Sequence, residues 1–178
     1  MNKILTAIAF IMATTIVTTS CKKDNVVVTD AATVTGVWKL SNMQGTVTTA
    51  KTGGTDIFTV SYDSTTKNKT QKLNNDMPEV YPYTLQFNIN ADETLSTRET
   101  RTQNGNFDDT YPGNWFKTGN MITLYGFEHT DFEGDLGSNI LTIASVTNTM
   151  LVLTYTDKQT TSNPSVTVTK NYTLTFAK

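Results

Sequence analysis

The chain predicts an all-β fold, an antiparallel up-and-down meander of about eight to ten strands, and three observations carry that expectation. Threonine fills roughly a fifth of the positions and, with Val, Ile, Tyr and Phe, supplies the β-branched and aromatic side chains that fit a pleated, half-buried surface. Apolar residues recur at every second position in several segments, most strictly in Tyr83-Thr84-Leu85-Gln86-Phe87-Asn88-Ile89, which is the period of a strand with one buried face. No stretch has helical period with caps, and the strand-like runs are separated by turn residues. At 178 residues one core suffices, so residues 34–178 are expected to form a single domain.

Ahead of that domain, Lys3 supplies a basic start and Ile4 to Val17 an apolar run too short and threonine-broken to span a membrane. Residues 1–20 are therefore expected to be a secretion signal. Thr18-Thr19-Ser20-Cys21 resembles the lipobox of bacterial lipoproteins, with Thr18 where leucine is usual. The resemblance implies that Cys21, the only cysteine, becomes the mature N-terminus and carries the acyl chains, several of which anchor stably where one is marginal. Residues 21–33 then form the lipidated cysteine and a tether of about 40 Å if extended. Lys22 is not the aspartate of an inner-membrane retention signal, and Lys22-Lys23-Asp24 resembles cell-surface export signals. Both point to an outer-membrane, lipid-anchored protein facing the periplasm or the cell surface. Losing Lys3 with the signal leaves 13 basic against 16 acidic residues, and no basic stripe exists to neutralise phosphates, which argues against nucleic acid as a partner.

The strands follow in order. Gly36 to Met43 sets Trp38 and Leu40 against Lys39 and Ser41, and a threonine- and glycine-rich connection leads to Gly53-Gly54. Ile57 to Tyr62 alternates Phe58, Val60 and Tyr62 with Thr59 and Ser61. Ser64 to Asp76 holds nothing apolar but Leu73, so it is expected to be a long loop or mobile flap. After Tyr83 to Ile89, Asn90-Ala91-Asp92-Glu93 turns the chain into Thr94 to Gln103, which is polar on both faces apart from Leu95 and reads as solvated. Asn104-Gly105 is a turn signal. Trp115 to Lys117 and Met121 to Tyr125 form a hairpin around Thr118-Gly119-Asn120, and an acidic connection, Glu128 to Gly137, follows. Ile140 to Val146 and Leu151 to Tyr155 flank Thr147-Asn148-Thr149, and Val166, Val168, Tyr172, Leu174 and Phe176 share the buried face of the last strand.

Gly36-Val37-Trp38 matches the Gly-x-Trp that opens lipocalin-type barrels. With the Leu85-x-Phe87 strand and Gly113-Asn114-Trp115 ahead of Gly119, residues 34–178 resemble the lipocalin-like domains of bacterial lipoproteins. Where that family usually has Asp-Gly after its central strand, this chain has Asp92-Glu93. The resemblance implies a meander closed into a barrel, with Gly36 permitting a tight start and Trp38 sealing one end. Closure also removes the exposed edges that an eight-stranded meander would otherwise present.

An interior of that size is either filled by side chains or holds one small ligand. Lys170 shares the parity of Val168 and Tyr172, so an ideal strand would turn its ammonium inward, where it would need a carboxylate from protein or ligand. Arg98 and Arg101 lie on opposite faces of one strand, so one of them could point inward and grip an anionic head group. Tyr83, in Tyr81-Pro82-Tyr83, and Trp115 stand beside strand starts, where a ring can cap the barrel or stack on a ligand or glycan. The carboxylates of Glu128 to Asp135 lack the order of a calcium loop, and His129, the single histidine, is a poor start for zinc or a catalytic triad. The expectation is a non-enzymatic protein without cofactor or metal that binds a small apolar or amphipathic molecule. The alternative is a surface module contacting glycan or protein through rim aromatics.

Overall fold

The computed structural model describes residues 33–103, 105–127, 130, 139–162 and 165–178. Cys21, the signal and the tether lie outside them, as do His129 and most of the acidic connection. Among the described residues ten antiparallel strands close into a barrel: β1 (Gly36–Lys51), β2 (Gly54–Asp63), β3 (Asn68–Leu73), β4 (Glu79–Ile89), β5 (Thr94–Arg101), β6 (Phe107–Thr118), β7 (Met121–Leu124), β8 (Ile140–Val146), β9 (Met150–Ser162) and β10 (Ser165–Ala177). Each strand pairs with its sequence neighbour, and β10 returns to β1.

β1 pairs directly with β4 from Gly36↔Ile89 to Lys39↔Gln86, then leaves it to pair with β2 from Asn42↔Asp63 to Lys51↔Gly54. The β2–β3 hairpin is wedged into that fork. The barrel accordingly closes through eight strands around its narrow end, where Trp38 sits; toward the end bearing the β1–β2 and β9–β10 hairpins β2 and β3 are added, while β7 and β8 pair only as far as Trp115 of β6 and Thr154 of β9. A register shift between Leu40 and Asn42 against β10 marks the fork with a bulge, a device that bends a strand and increases its twist.

Two sequence expectations are corrected here. The connection after Met43 is strand up to Lys51, because Thr46, Val47, Thr48 and Thr49 are themselves good strand formers held between β2 and β10. Residues 64–76 are not one loop, since Asn68–Leu73 is β3, bonded to β2 on one side and to β4 on the other. Its inward residues are Lys69, Gln71 and Leu73, so the hydrophobic alternation that reveals a strand was missing.

The core gathers at the narrow end. Trp38 is fully buried, donates from Nε1 to the Val34 carbonyl at 2.7 Å and is covered by the Lys178 ammonium 4.6 Å from its ring. Phe87 packs edge-on against Phe127 at 5.6 Å and tilted against Phe176 at 4.7 Å. Gly45 is fixed by packing, because a β-carbon there would fall into the Tyr172 ring. At the β4–β5 turn Glu93 adopts φ 65°, the left-handed position a glycine takes without strain, and the pairing continues from Ile89↔Leu95.

Candidate functional site

One face of every strand lines the barrel interior, its parity shifting at the bulges of β1 and β8, yet its chemistry changes along the axis. In the narrow half it reads Trp, Leu, Ile and Phe. Toward the hairpin end, six of the seven tyrosines face inward: Tyr62, Tyr81, Tyr83, Tyr111, Tyr155 and Tyr172. Charged side chains share that half, Asp109 and Asp157 by parity among them. Lys69 and Glu99 are 0% exposed, while Arg101 and Lys170, nearer the mouth, are half-buried.

Strand pairing explains how they meet. Lys69 on β3 lies opposite Tyr62 on β2 and Tyr81 on β4. Its ammonium is 5.1 Å from the Tyr83 ring and 5.9 Å from the Tyr81 ring, near enough for the negative π-faces to attract it. Tyr62 and Tyr83 meet edge-on at 6.2 Å. On the far side of β4, Glu99 is opposite Leu85, and Arg101 is opposite Tyr83 with its guanidinium 4.6 Å from the Phe107 ring. Burial, then the charges of Asp109 and Glu99, raise the Tyr111 phenol above its ordinary value against the opposing pull of Arg101. These groups therefore share one electrostatic environment along β5 and β6. Thr97, fully buried between Phe87 and Tyr111 in the pairing, has no hydrogen-bond partner for its hydroxyl among the described residues. It marks the boundary between the two halves.

Such an arrangement offers fixed charges of both signs, phenol hydroxyls and aromatic faces within one half of the barrel interior. It suits recognition of a small molecule. Among the described residues no three of His, Cys, Asp or Glu converge as metal ligands.

The expected site residues are only partly assembled. Tyr83 and Arg101 are cross-strand neighbours, and Lys170 faces the same half from β10, paired with Val47 and Asp157. Arg98 points outward and binds Asp108 bidentately at 2.8 and 2.9 Å, holding that carboxyl below its ordinary value. Trp115 is half-buried near the narrow end, its Nε1 donating to the Asn90 carbonyl at 2.8 Å. Tyr81 and Tyr83 are buried rather than exposed stacking rings. The strand Thr94 to Gln103 is corrected as well: Leu95, Thr97 and Glu99 face the interior and are buried, so only its outer face is solvated. Lys69 and Glu99 escaped the sequence reading. The one available signal was parity, since Lys69 stands at even spacing from Gln71 and Leu73, and Glu99 from Leu95 and Thr97. Comparison with protein-family models, characterised proteins and solved structures finds no match.

Proposed function

We propose that this chain is a lipid-anchored envelope protein whose lipocalin-like barrel binds a small amphipathic molecule at its hairpin end. The observation that carries this reading is the pair of fully buried charges, Lys69 and Glu99, set among inward tyrosines below the half-buried Arg101 and Lys170. Burying charge is expensive without compensation, and the same fold fills its other half with leucine, isoleucine and phenylalanine. Charged groups retained at one end are therefore read as recognition groups. Because the narrow half is packed with side chains, the ligand is short: a polar head between Arg101 and Lys170 and a compact body against Tyr155, Phe58 and Val47, which pack on the core from the walls. Anchoring through Cys21 and the tether would hold this mouth at the outer membrane surface.

Mass spectrometry of material extracted from the protein purified out of its native envelope tests the proposal. An amphipathic molecule that stays with the wild-type chain, and is lost by about tenfold from Arg101→Met with Lys170→Met, supports it. Nothing retained above background, or equal retention by the variant, overturns it.

A second reading rests on the outer wall, where Phe116 and Tyr125 meet edge-on at 5.8 Å while 45% and 48% exposed. Paired exposed rings of this kind can anchor a protein or glycan partner. Under this reading Phe116→Ala abolishes capture of the partner and Lys170→Met leaves it intact.

A further inference from the structure

The fork in the wall where β1 changes partners opens on the outside of the barrel. β4 reaches β3 as far as Tyr83, whose N–H donates to the Lys67 carbonyl at 2.9 Å, and reaches β1 only from Gln86 onward. Thr84 and Leu85 therefore lie in the gap between two partners. β1 crosses the same gap at Leu40 and Ser41, with the bulge. The result is a cleft of about 470 Å³ floored by Leu40, Tyr62 and Leu85, all no more than 5% exposed.

Three lysines stand around this apolar floor: Lys39 from β1, Lys67 from the β2–β3 turn and Lys178 from the chain end. Among the described residues no Asp or Glu side chain lines the cleft. The acid nearest in sequence, Asp63, is engaged within its own turn, accepting from the Thr65 N–H at 2.8 Å and the Thr66 hydroxyl at 3.2 Å. The rest of the lining is neutral, with Ser64 and Gln86 as possible hydrogen-bonding groups, while the Ser41 hydroxyl is already given to the Thr175 carbonyl. Lys67 holds φ 54°, where a side chain other than glycine, asparagine or aspartate is strained, so its place beside the cleft is kept against a local preference.

Like charges gathered with no acidic side chain between them raise the local potential toward anions, and a low-dielectric floor strengthens the attraction. We infer that this fork is a second binding site, for an organic phosphate or carboxylate whose anionic head meets Lys39 and Lys67 and whose short apolar body lies on Leu40, Tyr62 and Leu85. It opens on the outer wall and does not depend on what the mouth binds.

Amide NMR of the full chain titrated with hexyl phosphate, inorganic phosphate and hexanol tests it. Hexyl phosphate is expected to shift the amides of Ser41, Lys67 and Gln86 and to bind at least tenfold more tightly than either of the other probes. Lys39→Ala with Lys67→Asn should weaken it at least tenfold without lowering the melting temperature, since asparagine suits the left-handed position. Lys170→Met should leave this binding unchanged, which separates the cleft from the mouth. Three probes of equal affinity, shifts confined to other residues, or a double variant within twofold of wild type would each overturn the inference.

Discussion

On β4 a single alternation places Phe87 and Ile89 in the narrow half and Tyr81 and Tyr83 in the hairpin half, and the two pairs serve different ends. Below, phenylalanine, leucine and isoleucine fill the interior with no polar atom to satisfy. Above, the same parity carries phenols, Lys69 and Glu99, each of which has to be matched by a neighbour or it destabilises the fold. A barrel wall needs only the period. What the interior positions contain decides whether a level of the barrel is packed with apolar groups alone or carries polar groups that each need a partner.

The sharpest way to break this division is at Trp38. Fully buried, it packs at the end where β1 pairs directly with β4 and eight strands close the ring. Removing a side chain of this size typically costs about 3 to 5 kcal/mol, a large share of a marginal stability. Trp38→Ala is expected to move the urea midpoint by that amount, whereas Lys170→Met, half-buried in the other half, should move it by less than about 0.5 kcal/mol. Comparable shifts in the two variants would erase the distinction between the halves.

Next in size is Gly45, the inward position at which β1 passes Tyr172 and Val60. A β-carbon there would meet both side chains too closely, so Gly45→Ala should destabilise by about 1 to 3 kcal/mol, the range for overpacking. Gly45→Ala with Tyr172→Ala should recover part of that loss in the same urea titration. No recovery would mean that the strand bend, and not the ring, requires the glycine.

The difference between the halves also explains what the sequence could convey. Strands that put apolar residues inward announced themselves: Tyr83 to Ile89, Ile140 to Val146 and the last strand were legible from period alone. β3 was not, because its inward Lys69 and Gln71 look like loop residues until β2 and β4 enclose them. The hidden strand carries the buried lysine of the candidate site. The inward face of β5, with Thr97 and Glu99, was obscured for the same reason. Arg98 and Arg101 were correctly assigned to opposite faces, but only the pairing of β5 with β6 shows that Arg98 is the outward one, held by Asp108. Interiors lined by polar and charged side chains are the places where hydrophobic pattern fails as a guide.

Thr97 tests where the boundary lies. Its buried hydroxyl has no partner among the described residues, and a buried polar group left unmatched is destabilising relative to an apolar group of the same shape. Thr97→Val is therefore expected to raise stability by about 1 kcal/mol, read as a higher melting temperature. A loss of stability would mean that the hydroxyl is matched by water or ligand and that the polar half reaches one layer deeper.

The smallest effect is at alkaline pH. Burial raises the Tyr62 phenol, with the Asp63 charge adding to it, and burial likewise leads at Tyr111. The unfolded chain, with tyrosines near a pKa of about 10, gives up these protons before the folded one does. Stability from this source is thus fully present below about pH 10 and is lost as pH rises through the folded values. The urea midpoint should stay level to about pH 9 and then fall, and Tyr62→Phe should flatten the fall by removing one titrating group. Because both phenols lie in the hairpin half, amide exchange should quicken first in β2 and β3, around Val60 and Lys69, while Phe87 and Leu153 in the narrow half stay protected. If Tyr62→Phe leaves the slope unchanged and exchange quickens everywhere together, the two halves unfold as one cooperative unit, and their difference lies in chemistry alone and not in local stability.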